Sequence, residues 1–140
     1  MNEQENVKIV QEGYRLFLTG DFANLMNNYT DDVQYIIPGP SDLSPIAGRY
    51  VGKEQVVAFF HKVGANFEFS VFEPLEMIAQ GDKVVVLGHY QGRARATGQP
   101  LNFEWVHVFQ LRDGKVSRFQ IYEDTATVVT ALSKANAEAV

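Results

Sequence analysis

HVFQLRDGKVSRFQIYEDTA, His107 to Ala126, sets two alternating runs on either side of Asp113-Gly114, and the reading of that turn decides which side chains share a face. Asp-Gly between alternating apolar residues is a strong hairpin signal. A two-residue Asp113-Gly114 turn would bring Arg118 and Gln120 beside His107 and Phe109. A three-residue Arg112-Asp113-Gly114 loop with Gly114 left-handed brings Ser117, Phe119, Ile121 and Glu123 there instead. A one-residue slip exchanges the buried and solvated faces, so the hydrophobic pattern selects the second. It predicts His107 opposite Phe119, Trp105 opposite Ile121 and Phe103 opposite Glu123.

Upstream, Lys83 to Ala96 and Leu101 to Arg112 form the preceding hairpin, with a two-residue turn at Thr97-Gly98 or Gly98-Gln99. Either choice turns Val84, Val86, Gly88 and Tyr90 inward and His89, Gln91, Arg93 and Arg95 outward. Tyr90 then stands opposite Trp105, and Gly88 opposite or near His107. Phe67 to Gln80 supplies a fourth long strand. Ahead of these come helices near residues 4 to 18 (Val7, Val10, Tyr14, Phe17, Leu18) and from Phe22, the second capped by Asp21. Val33 to Ile37 is a short strand, Pro38 to Gly52 a long connection, and Lys53 to Val63 a third helix; Asp124 caps a closing helix from Thr125. Helices first and a strand meander afterwards predict an α+β fold, its helices packed on one face of a strongly curved antiparallel sheet.

The 140 residues suit one domain over residues 1–140, and 46% hydrophobic content with ten Phe and six Tyr is that of a globular chain. No cysteine is present, so there is no disulfide framework or thiolate chemistry, in keeping with a cytoplasmic protein. A net charge of −5 argues against nucleic acid, whose phosphates demand clustered Lys or Arg. No apolar run reaches membrane-spanning length. His61, His89 and His107 lack metal-ligand spacing, and no phosphate-binding or dinucleotide motif occurs, so neither metal nor cofactor is expected.

The order of elements, with AGRYVGKEQVVAFF (Ala47 to Phe60) and HVFQLRDGKVSRFQIYEDTA, resembles the SnoaL-like branch of the nuclear transport factor 2-like superfamily, home of ketosteroid isomerases and polyketide cyclases. The resemblance spans nearly the whole chain. It implies a cone-shaped α+β barrel with helices on the concave face of its sheet, a deep apolar pocket and homodimers. YTDDVQYIIPG (Tyr29 to Gly39) resembles the isomerase segment whose aspartate base precedes proline, but that position is Ile37 here, so steroid isomerisation by that route is not expected. The isomerase tyrosine falls at Gly13, beside Tyr14, and its oxyanion-hole aspartic acid at His107. The aspartate of limonene epoxide hydrolases falls at Ile121. SnoaL-type cyclases use an acid near the last strand, where Glu123 and Asp124 lie.

The candidate site is therefore His107 as donor or base on an aromatic wall, Tyr35 assisting, and Glu123 at the rim, with Tyr14, Ile37, Phe59, Val86, Gly88, Tyr90, Trp105, Phe109, Phe119 and Ile121 lining a pocket for a small, mostly apolar, polycyclic or aromatic ligand. Competing readings keep His107 as a core histidine bonded to Tyr35 or a carbonyl, and Gly88 as a bend rather than space beside the imidazole. As an enzyme the protein would isomerise, cyclise or hydrate without a cofactor; otherwise it is a non-catalytic small-molecule binder or a dimerising module. Val85, Leu87, Val106 and Val108 on the outer face form the expected dimer surface.

Overall fold

The computed structural model describes residues 2–138. Helix α1 (Glu3–Leu18) starts where the Asn2 side chain accepts from the Glu5 amide, and Asp21 does the same for Asn24 at α2 (Phe22–Met26). The α1 stripe is buried at Val10 and Tyr14, but the corner into α2 buries Leu16 and leaves Leu18 exposed. There follow β1 (Tyr29–Ile37), β2 (Gly48–Val51), α3 (Lys53–Asn66), β3 (Phe67–Gln80), β4 (Lys83–Ala94), β5 (Pro100–Arg112), β6 (Lys115–Glu123) and α4 (Thr125–Glu138). Strand β1 begins four residues earlier than its alternation suggests, and the long connection holds the short strand β2.

The six strands form one sheet in the order β2-β1-β6-β5-β4-β3. It is not purely antiparallel, because β1 runs parallel to β6 with Tyr35 beside Phe119. Nor does it close on itself as a barrel would: β2 and β3 are opposite edges, and α1 and α3 cover the concave side. Extra residues in β3, where Ser70 and Leu75 have no partner on β4, bend the sheet at the positions facing Gly92 and Gly88.

The decisive hairpin differs from the expected loop. Asp113 and Gly114 both have positive φ (53° and 78°), as a two-residue turn of the primed type requires, and Arg112 pairs with Lys115. A bulge at Ser117 then restores the inward parity of Phe119, Ile121 and Glu123, and the Ser117 hydroxyl donates to the Gln110 carbonyl at 3.1 Å. From Phe119 onward the faces are as the pattern demands, but the register moves by two residues, and Val116 rather than Ser117 takes the inner position opposite Leu111. His107 lies opposite Ile121, Trp105 opposite Glu123 and Phe109 opposite Phe119. The β4–β5 link, by contrast, is longer than the expected two-residue turn, Arg95 to Gln99, so Gly88 faces Trp105 and Tyr90 faces Phe103.

Candidate functional site

The concave face and its helices enclose a cavity of about 120 Å³ whose wall is almost wholly apolar and aromatic. Tyr14 comes from α1, Phe59 and Phe60 from α3, Phe72 from β3, and Trp105, His107 and Phe109 from successive inward positions of β5. His107 is 5% exposed. Its Nδ1 is 2.7 Å from the Tyr14 hydroxyl, and its Nε2 has no protein partner among the described residues. With Tyr14 donating to Nδ1, the ring proton sits on Nε2 and the free edge is a neutral N–H donor; the reverse tautomer offers a lone pair.

The imidazole is clamped by rings. Its centroid is 3.8 Å from that of Trp105 at an interplanar angle of 19°, and Phe119 approaches edge-on at 4.7 Å. No charged group faces it, and burial pushes its pKa down to about 3. His107 is therefore neutral at physiological pH. Burial likewise, and secondarily the neighbouring Tyr29, hold the Tyr14 hydroxyl well above the ordinary tyrosine range.

Glu123 is the one Asp, Glu, Lys or Arg among the lining residues, and it is half-buried. It makes no ion pair or side-chain hydrogen bond among the described residues. Burial, and then the charge of Asp124, push its carboxyl up to about 7. Burial and the Glu123 charge in turn raise the Tyr90 phenol to about 12, against the pull of Arg95. Asp124 itself turns away to cap α4, accepting from the Thr127 amide at 3.1 Å. No three His, Asp or Glu side chains among the described residues converge as a metal site would require.

Several sequence expectations are corrected here. Tyr35 is not the partner of His107: its hydroxyl bonds to that of Tyr29 at the start of β1. Tyr35 still lines the cavity, as do Tyr14, Phe59, Tyr90, Trp105, Phe109, Phe119 and Ile121. Ile37, Val86 and Gly88 are not lining residues. Gly88 leaves no room beside the imidazole, because the indole of Trp105 fills that space. The indole of Trp105 is in turn covered by Phe72, which lies against it at 5.1 Å and 28°. Phe72 was legible only through the β3 register, which two bulges conceal.

This architecture has close counterparts. An NTF2-like protein from Burkholderia xenovorans LB400 matches it with a TM-score of 0.87 at 33% identity, over 94% of this chain and 98% of that one. A candidate SnoaL-like polyketide cyclase from Jannaschia sp. CCS1 matches at 0.73 and 26% identity, over 94% and 93%. An uncharacterised protein of Mycobacterium tuberculosis (strain ATCC 25618 / H37Rv) is 25% identical over 127 residues, 90% of this chain and 95% of its own length. A family model for the SnoaL-like domain matches residues 10–119. With residues 10–119 under that model and an NTF2-like protein 33% identical over 94% of its length, the chain belongs to the SnoaL-like branch of the NTF2-like superfamily.

Proposed function

We propose that the cavity binds a small, flat, mostly apolar molecule carrying a carbonyl-type oxygen, and that the protein moves a proton at the neighbouring carbon: a cofactor-independent isomerisation, cyclisation or hydration through an enolate-like state. The observation that carries this reading is the His107–Tyr14 pair, a neutral polar group in an aromatic wall with one ring edge free. A preorganised N–H in a dry site stabilises a developing oxyanion far better than water does. Glu123 is the complementary group. A carboxyl pushed to about 7 is matched to proton transfer at neutral pH. Its carboxylate takes the proton from carbon, the electron pair moves onto the oxygen held at Nε2, and the proton returns at another atom. Register supports the division of labour: Glu123 lies two residues along β6 from the position opposite His107, roughly 7 Å of strand, the span of a short carbonyl compound with a hydrogen bond at each end.

The outer face supports a homodimer. Ile78, Val85 and Val108 form one row across β3, β4 and β5, and Leu87, Val106 and Tyr122 the next, with Ile78 49% and Tyr122 52% exposed.

The test is thermal unfolding of wild type and His107→Ala against apolar ketones, hydroxylated polycycles and aromatic acids, followed by proton NMR of any stabilising compound in deuterium oxide. A ligand at a hundred times its dissociation constant adds about 2.7 kcal/mol. Stabilisation that depends on His107, together with deuterium uptake lost in Glu123→Gln, supports the reading. Stabilisation without uptake leaves a binding domain, and no stabilisation by any compound overturns the proposal.

A further inference from the structure

The wall of the cavity owes its geometry to a residue that does not touch it. Gly88 lies on the inward face of β4, directly across from Trp105. A Cβ built at Gly88 would stand 2.1 Å, 2.3 Å and 2.4 Å from three carbons of the indole's six-membered ring. Real Cβ atoms essentially never stand closer than 3.0 Å to another heavy atom, so no relaxation of tenths of an ångström accommodates a methyl group there. Gly88 is not among the residues with positive φ, so its backbone conformation is open to any residue, and the requirement for glycine comes from the ring alone. The indole lies across β4 because that strand presents no side chain, and on its way it is held against Phe72 at 5.1 Å and against His107 at 3.8 Å.

We propose that Gly88 is a positioning residue: by vacating one side-chain site on β4 it seats the Trp105 indole, and the seated indole fixes the plane and the dryness of the His107 ring beneath it. This deepens the reading of the cavity as a site in which His107 acts as a neutral donor, and it rests on that reading only for its consequence, not for its geometry. A bulge at Leu75, beside the Pro74–Gly88 pair, offers the competing explanation that Gly88 serves only to let the sheet bend. The two explanations separate cleanly. A bend needs the glycine whatever residue stands at 105, whereas a seat needs it only while the indole is there.

The experiment therefore uses Gly88→Ala and Gly88→Ala/Trp105→Phe, read by nitrogen-15 NMR of the histidine side chains over pH 4 to 8 and by thermal unfolding. The groups facing His107 are the rings of Tyr14 from α1, Phe72 from β3, Trp105 and Phe109 on its own strand and Phe119 from β6, with Val86 and Ile121 across from it on β4 and β6; none is charged at neutral pH. In the wild type, His107 stays neutral across that range. In Gly88→Ala the displaced indole opens the stack, and the His107 resonances begin to titrate toward the ordinary histidine range while His61 and His89 are unmoved. In the double variant the phenyl ring, which does not reach the space of the indole's outer ring, restores both the non-titrating His107 and most of the unfolding temperature. Because Trp105 is the single tryptophan, its emission in Gly88→Ala shifts to longer wavelength as the ring meets water. Unchanged His107 resonances in Gly88→Ala overturn the proposal, and so does a double variant as damaged as the single one or unable to fold, since a bend would then be the whole role. None of these readouts needs a ligand or turnover, so the absence of activity in the proposed reaction leaves this test intact.

Discussion

Tyr14 and His107, ninety-three residues apart, meet in a buried hydrogen bond of 2.7 Å that ties α1 to the centre of β5. Removing one partner of a buried pair leaves the other unsatisfied, at a cost of roughly 1–3 kcal/mol. Tyr14→Phe keeps the ring and loses only the hydroxyl, so denaturant unfolding is expected to show a loss in that range. Replacing both partners by apolar groups, in Tyr14→Phe/His107→Phe, should lose less than the sum of the two single variants, because no orphaned group remains.

Two groups in the cavity make stability depend on pH in opposite senses. The Glu123 carboxyl is raised to about 7, so the folded protein holds a proton that the unfolded chain releases between its own pKa of 4.5 and 7. That contribution is complete below 4.5 and is lost as the pH rises to 7. The His107 imidazole is lowered to about 3 from 6.5, so its contribution is complete above 6.5 and is lost as the pH falls toward 3. Between 4.5 and 6.5 the two slopes oppose. Glu123→Gln should steepen the rise in stability from pH 4.5 to 6.5 and, above pH 7, be more stable than wild type by on the order of 2 kcal/mol. An unfolding series from pH 4 to 8 on both proteins checks the crossing.

A cavity whose one charged lining group is a carboxylate above pH 7 should discriminate by ligand charge. 2-Naphthol and 2-naphthoate have nearly the same apolar body. Quenching of the single tryptophan, Trp105, at pH 8 is expected to give the neutral compound at least about tenfold the affinity of the anion, a difference of about 1.4 kcal/mol. In Glu123→Gln the preference should shrink to a small factor. Equal affinities in the wild type would remove Glu123 from the site.

If the outer rows of the sheet are a homodimer surface, a charge placed there separates the subunits. Val106 is half-buried on that face and pairs with Leu87 and Tyr122. Val106→Asp should sediment at half the mass of wild type while its circular dichroism is retained. A monomeric wild type would dispose of the dimer at once.

The turn between β5 and β6 controls the whole wall. Gly114→Ala places a side chain at φ 78°, a left-handed position that a non-glycine residue occupies at a cost of roughly 1–2 kcal/mol. Thermal unfolding should fall accordingly, and loss of the Ser117 hydroxyl in Ser117→Ala should cost about 1 kcal/mol by removing its bond to Gln110.

Periodicity alone determined much of this protein. Alternation along β4, β5 and β6 assigned the inward residues from Val84 to Phe109 and from Phe119 to Glu123 to their face, because side chains in a strand repeat every two residues and only one parity buries Trp105, Phe109, Phe119 and Ile121 together; it missed Val116, which the bulge at Ser117 turns inward. The helices and their caps at Asp21 and Asp124 were equally local, since a cap bonds to amides two or three residues away. Register was not local. A two-residue turn with a bulge and a three-residue loop give the same parity, so the pattern could not tell Trp105 opposite Glu123 from Phe103 opposite Glu123. Contacts between distant segments were more hidden still. Nothing near Tyr14 announces His107, nothing near Tyr29 announces Tyr35, and a glycine in a strand says only that a side chain is missing, not which ring needs the space. Those pairings exist because the curved sheet and the helices bring large side chains from far along the chain to within contact distance, and only close packing in three dimensions decides which of them fit.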